Sequence, residues 1–398
     1  MNQSQQYGDL LITLTSAYQV RYPDRGSGAH MDGTFWHPVG DERFKPLGSI
    51  CVAGYDDING ARASMLVADA GNGAVAAPVD YQWIWDDSGS GADWDGSVWR
   101  PVAPAGYVAL GDVAMPNHDK PSTADIWCVR TDLIADGIYA AKPWQDAGSG
   151  GEHDIAAWSV EVGQPATDPT KAVFAPDTFR GVASYDAQPS GGLAQVLVVP
   201  VVAEVGTAPT RPKLTSRNAP EPTTPAVRDR SVLLPFTAMF DRNDRPSLNR
   251  IDNPFCRVER WVSWSLVMFD DNTTSVSQSQ TKETTVGVTK SASETFEHST
   301  GIKVSAEWGV GTKWNVELNY QFTYSKTTGR EDLTSDTISR TLVTPPDCAA
   351  ALWTATYAFR ATRADGTSIG RDLIFDANSF AHDQYGEGVS ADKVSMAD

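Results

Sequence analysis

The chain has 398 residues, 41% apolar and 21% charged, an ordinary globular composition with room for two or three separately packed domains. Its formal charge of −18 excludes electrostatic binding to nucleic acid or to anionic headgroups as a main function, because both need local positive potential. The cysteines form no CxxC pair, the histidines no HExxH, and no P-loop or GxSxG is present, so no catalytic residue, metal ligand or cofactor is assigned.

The first twenty residues lack a basic stretch followed by a long apolar core. The expectation is a released or secreted soluble protein without a classical signal peptide, acting at a target-cell membrane. No run of 18 apolar residues occurs, which excludes a transmembrane helix and leaves β-barrel spans open.

A fifteen-residue motif then appears three times: YPDRGSGAHMDGTFW from Tyr22, WDDSGSGADWDGSVW from Trp85 and WQDAGSGGEHDIAAW from Trp144. The starts lie 63 and 59 residues apart. Pro38 matches Pro101, Phe44 matches Tyr107, and Leu47-Gly48 match Leu110-Gly111; after inserted residues Gly181 is the expected third counterpart. Short apolar runs separated by Gly, Pro and Asp turns predict an all-β, pseudo-threefold, β-prism-like domain over 7–203.

Two uses of the motif compete. In the structural one, Asp24, Asp87 and Asp146 accept hydrogen bonds from the turn amides, the glycines take φ > 0, and Trp36, Trp99 and Trp158 fill the core. In the functional one, His30, Asp32, Asp93, Trp94, Asp95, His153 and Asp154 present polar and aromatic groups to a receptor, and repetition supplies avidity. A carbohydrate-active enzyme is the weakest reading, because one asymmetric carboxylate pair does that chemistry and none stands out. The GSGAxxDGxxWxP pattern with its following LGxV resembles the family of vacuolar protein sorting-associated protein sixty-two.

Residues 204–228, with five prolines between Gly206 and Arg228, read as a linker or an extended surface crossing. From Phe255 to Thr344 there is then no proline in 90 residues, which permits long paired strands. Cys256 and Cys348 flank this region, a placement that admits a bridge between them.

Alternation is clear within it, with Thr312 the one even position from 302 to 324 that is not apolar. Ile302, Val304, Ala306, Trp308, Val310, Trp314, Val316, Leu318, Tyr320, Phe322 and Tyr324 are apolar at even positions, while odd positions carry no large apolar side chain. Period two over this length is β, since a helix would scatter these groups around its axis. The Ser/Thr-rich arm upstream keeps the same sense through Val286 and Val288. A half-exposed sheet in a sandwich fits the pattern; so does a membrane hairpin within 273–344, since about 9 to 11 residues per tilted strand cross a bilayer. The tip falls at Glu297–Gly301 or, preferred, at Trp308–Thr312, where glycines permit a turn.

The segment GIKVSAEWGVGTKWNVELNYQFTYSKTTG with its Ser/Thr-rich approach resembles the central region of aerolysin-like β-pore-forming toxins. That resemblance implies an elongated, twisted antiparallel module over 229–370, with 371–398 completing it or ending as a polar tail. It also implies a protein, insecticidal in several relatives, that binds a glycan, lipid or protein receptor through its first domain, assembles as a homo-oligomer on the target-cell membrane and inserts the hairpin. The alternative is a lectin-like protein that binds without making pores.

Overall fold

The computed structural model describes residues 2–168, 170–305, 309–313, 318 and 335–386. It is nearly all β; among the described residues the α-helices are Arg245–Leu248 and Lys290–Thr300. Two compact units emerge. One is Met1–Val202 with Leu233–Cys256 and Thr312–Leu318; the other is Ala203–Val232, Arg257–Gly311 and Asn319–Asp398. Residues 233–256, expected in the second module, therefore belong to the first unit.

In the first unit each repeat contributes two small antiparallel sheets. One set pairs Tyr18–Pro23, Gly33–Pro38 and Ile50–Ala53 in repeat 1, and Asp80–Asp86, Ser97–Val102 and Val113–Met115 in repeat 2. Repeat 3 uses Trp144–Gln145, Ala156–Glu161 and Phe179–Val182 in the same way. The second set is built around Leu10–Thr15 with Ser64–Asp69, Cys128–Arg130, and Ile134–Asp136 with Gln195–Pro200.

Strand alternation sorts the aromatics. Tyr22, Trp85 and Trp144 meet edge to face at centroid separations of 5.5, 6.2 and 5.7 Å, and Phe35, Val98 and Ala157 pack on them in one shared core. The next residue in each strand points the other way. Trp36 and Trp99 consequently sit in separate outer clusters, and Trp158 is only half-buried, so the shared core is made by the aromatics that open the motif rather than those that close it.

At one end of the axis the backbone closes a ring. Ser49 N donates to Asp112 O (2.9 Å), Asp112 N to Phe179 O (3.0 Å) and Phe179 N to Ser49 O (3.3 Å). Trp36 pairs with Ile50, Trp99 with Val113 and Trp158 with Arg180, which fixes the same equivalence. The third counterpart of Gly48 and Gly111 is thus Thr178, not Gly181; Gly181 aligns with Cys51 and Ala114.

The second unit holds a five-stranded sheet in which Cys348–Arg363 and Ser368–Tyr385 pair along nearly their whole length. The residues after Arg371 complete this sheet as far as Tyr385. The proline-rich stretch is an extended crossing laid on the unit. Thr224 N donates to Trp264 O (2.9 Å), Leu214 N to Asp383 (2.7 Å), and Arg217 bridges Asp271 and Asp347 (2.7 Å each). None of the four cysteines forms a disulfide. Cys256 and Cys348 are each buried as thiols, so the bridge that their placement admits is not made.

Candidate functional site

The repeated motif builds the other end of the axis, opposite the backbone ring, by one local rule. Each motif aspartate accepts a hydrogen bond from the backbone nine residues on: Asp24 from Gly33 N (3.0 Å), Asp87 from Gly96 N (2.9 Å) and Asp146 from Ile155 N (2.9 Å). The serines of the Gly-Ser-Gly turns repeat too, with Ser27, Ser90 and Ser149 each bonding back to the aspartate carbonyl. Both flanking glycines take positive φ in all three copies, from 70 to 94°, a region that ordinary side chains avoid.

The turns then interlock in a cycle. His30 N donates to Ala147 O, Asp93 N to Arg25 O and Glu152 N to Ser88 O, each at 2.8 Å. Each donor lies over the first glycine of its neighbour's turn: His30 on Gly148, Asp93 on Gly26 and Glu152 on Gly89. Indoles complete the lock, because Trp144 Nε1 donates to Asp24 (2.6 Å) and Trp85 Nε1 to Asp146 (3.2 Å). In the third corner Tyr22 replaces the indole. Burial first, and the Asp87, Asp24 and Asp146 carboxylates second, raise its hydroxyl well above the usual value. Burial likewise raises the Asp146 carboxyl.

A second acidic ring lies outside the first. Tyr55 OH donates to Asp24 (2.7 Å) and Asp32 (3.0 Å), and Tyr185 OH donates to Asp154 (2.7 Å) and faces Asp146. In repeat 2 the same place is held by His118, whose Nε2 lies 2.7 Å from Asp87 Oδ1 beside Asp95. Asp87, Asp95 and His118 are close enough to ligate a cation. The tyrosines of the sibling copies show instead that this position supplies a proton donor to two carboxylates, and the hydrogen bond to Asp87 raises the His118 pKa accordingly.

All seven receptor candidates are exposed. His30 and Asp93 are tied into the interlock; Asp32, Asp95 and Asp154 stand at equivalent places in the outer acidic ring; Trp94 is 45% exposed in its loop. His153 packs its ring against Trp83, a 39%-exposed tryptophan that the sequence reading passed over. Its signal was present: Trp83 precedes the axial Trp85 by two residues, where repeats 1 and 3 have Val20 and Lys142.

In the second unit Gln278–Val286 and Asp336–Thr344 form an antiparallel ribbon in unbroken register from Gln278↔Thr344 to Val286↔Asp336. One face, with Ser279, Thr281, Glu283, Thr285, Thr337, Ser339, Thr341 and Val343, is exposed and mainly polar; the other carries the buried Val286, Leu342 and Thr344, and Leu342 packs in a core cluster with Val267, Met268, Ala350 and Leu352. Asn272, fully buried, clamps the base by donating through Nδ2 to Val276 O (2.8 Å), Thr344 O (3.1 Å) and Pro345 O (2.9 Å).

Past the ribbon the chain departs from the expected β arm. Lys290–Thr300 is a helix, capped by Thr289 and ended by Gly301 in the left-handed region at φ 70°. Its Phe296 is buried, and Ser293 bonds the Val304 carbonyl of the adjacent strand Ile302–Ser305. Of the two expected tips, Glu297–Gly301 ends the helix; in Trp308–Thr312, Trp308 lies outside the described residues and Gly309–Thr312 is a strand paired with Ile302–Ser305.

Of the hairpin residues, Val286, Val288, Ile302, Val304 and Leu318 are buried. Val310 lies in the Gly309–Thr312 strand. Ala306, Trp308, Trp314, Val316, Tyr320, Phe322 and Tyr324 lie outside the described residues.

Among solved structures, the chain is similar to GNIP1Aa from Chromobacterium piscinae, 30% identical over 46% of this chain and 35% of that one, with a TM-score of 0.37. The chain thus spans about a third of GNIP1Aa's length. Cry35Ab1 is 12% identical over 96% of this chain and 91% of its own, at a TM-score of 0.38. The oligomeric pore-forming toxin pro-Monalysin is 12% identical over 36% of this chain and 65% of its own, at 0.20. No curated protein matches. A family model described as vacuolar protein sorting-associated protein 62 matches residues 5–172, to which this part of the chain is similar.

Proposed function

We propose that this is a pore-forming toxin: the first unit holds a cell-surface receptor, protomers assemble, and the segment within 273–344 becomes a transmembrane β-hairpin. The observation that carries this reading is the two-sided division of that segment. The ribbon Gln278–Val286 with Asp336–Thr344 is mainly polar in composition, with one exposed polar face and Val286, Ile338 and Leu342 as the apolar residues of the other, as suits a barrel wall standing largely in water. The following stretch from Ile302 to Tyr324 alternates apolar and polar, as suits a barrel wall with lipid outside and a wet lumen inside.

In the soluble form such an apolar face has to be covered, and Ile302 and Val304 are fully buried beside the helix Lys290–Thr300. Insertion then requires that helix to give up its place and join the hairpin as strand. Assembly precedes insertion, because a lone hairpin leaves unpaired backbone edges in lipid and a closed barrel leaves none. The receptor is a glycan, a lipid headgroup or a protein, and the first unit, exposed at all seven candidate residues, is the part that meets it.

The test is Val316→Lys, which places a charge on the proposed lipid face. Dye release from susceptible membranes should be abolished while surface binding persists, and single-channel conductance should vanish with it. Normal permeabilisation by this variant defeats the assignment. A binding protein without pore activity is the second reading, favoured by the packing of one ribbon face, through Leu342, into the second unit's core; it predicts binding with no detergent-resistant oligomer and no conductance in the wild type.

A further inference from the structure

One surface of the first unit breaks its own symmetry. Two residues before the axial aromatic, repeats 1 and 3 carry Val20 and Lys142, so the fold does not require an aromatic there, yet repeat 2 carries the exposed Trp83. Its Nε1 donates to Asp86 Oδ2 (3.1 Å), and Asp86 is itself fixed by Ser88 N (3.2 Å). The Trp83 ring meets the imidazole of His153, from repeat 3, at 4.8 Å and 77°, which makes a right-angled aromatic corner on the seam between two repeats. That corner is held from beneath, because the buried Trp85 donates to the His153 carbonyl (2.9 Å).

The surroundings select among ligands. His153 is flanked in sequence by the exposed Glu152 and Asp154, and Asp86 is close enough to His118 to act on its charge. Burying this corner in lipid would strip water from those carboxylates at a cost no single indole repays. Anionic sugars meet like charge. A neutral saccharide meets neither penalty: its C–H face packs on an indole, and its hydroxyls donate to carboxylates and bond to imidazole.

We propose that Trp83, Asp86 and His153 form a subsite for one neutral pyranose residue of a cell-surface glycan. This rests on the reading that the first unit binds the receptor, and narrows that receptor to a neutral glycan.

The experiment is saturation-transfer-difference NMR on the full chain, with galactose, N-acetylgalactosamine, N-acetylglucosamine and mannose as probes and sialic acid as the anionic comparison. At least one neutral sugar should receive saturation at its ring C–H protons, and Trp83→Ala should weaken it by about tenfold or more, equivalent to about 1.4 kcal/mol. Asp86→Asn, which leaves both rings in place, should weaken the same sugar several-fold and covers the case in which Trp83→Ala misfolds. The subsite is overturned if no neutral sugar receives saturation, if both variants bind as the wild type does, or if sialic acid is preferred. Dye release separates this from the pore reading: a wild type that permeabilises membranes without binding sugar loses only the subsite, and one that binds sugar without permeabilising loses only the pore.

Discussion

Trp144 Nε1 donates a 2.6 Å hydrogen bond to the buried carboxylate of Asp24, 120 residues earlier in the chain. The bond joins repeat 3 to repeat 1 and so closes the threefold unit. Asp24 already accepts from its own repeat through Gly33 and Tyr55, so one carboxylate carries both the local turn and the long-range closure.

Trp144→Phe removes the donor together with part of a fully buried bicyclic ring, so a cavity accompanies the lost bond. Leaving a buried charged acceptor short of a partner costs about 1–3 kcal/mol. Urea unfolding of the first unit should shift to lower denaturant by at least that amount, since the cavity adds to it. An unchanged midpoint would mean that the closure contributes nothing to stability.

Gly33 opens one strand and Gly96 immediately precedes the strand Ser97–Val102, and at each a Cβ would run into an axial aromatic, Trp144 and Tyr22 respectively. Gly33→Ala and Gly96→Ala should therefore lower stability by about 1–3 kcal/mol through overpacking. Gly91→Ala meets no neighbour within 4 Å but sits at φ 70°, so its loss should be backbone strain alone, and smaller. Thermal unfolding of the three variants side by side checks the order.

Two histidines give the first unit opposite responses to pH. His37 is fully buried beside Ser49 (2.9 Å), and burial, aided by Arg21, lowers its pKa from 6.5 to about 3. The unfolded chain takes up a proton that the folded one refuses, so its contribution is present above pH 6.5 and fades as pH falls toward 3. His118 is raised above 6.5 by its bond to Asp87, so its contribution is complete below 6.5 and fades as pH rises through its folded value. His118→Tyr, which copies the sibling repeats, should abolish the high-pH loss, and His37→Gln the low-pH loss, in melting temperature followed from pH 4 to 9. Identical pH profiles for wild type and both variants would contradict the assignment.

Phe296 anchors the helix Lys290–Thr300 in the second unit. Phe296→Asp should release it, raising proteolysis between Lys290 and Gly301 and, on the proposed mechanism, lowering the protein concentration needed for dye release. Asn272→Ala removes five side-chain bonds from the base of the ribbon, three donated by Nδ2 and two accepted by Oδ1 from Thr274, and should lower unfolding stability by at least about 1–3 kcal/mol. Hydrogen exchange across 276–286 should rise in that variant.

The sequence by itself determined the threefold unit. The aspartate, the Gly-Ser-Gly turn and the strand that follows interact within nine residues of one another, and short-range chemistry of that kind repeats wherever its letters repeat. It also determined that 302–305 is strand with Ile302 and Val304 on one buried face. Tertiary structure decided what crosses between repeats: Thr178 as the third partner of Gly48 and Gly111, Trp83 meeting His153, and the axial core built from Tyr22, Trp85 and Trp144. The helix at Lys290–Thr300 was decided there as well. Its Ser/Thr-rich residues have no strong preference of their own, and the capping by Thr289 and Gly301 with the burial of Phe296 against neighbouring strands selects helix over strand. Contacts between residues tens of positions apart depend on how whole sheets are placed, and no local pattern encodes that.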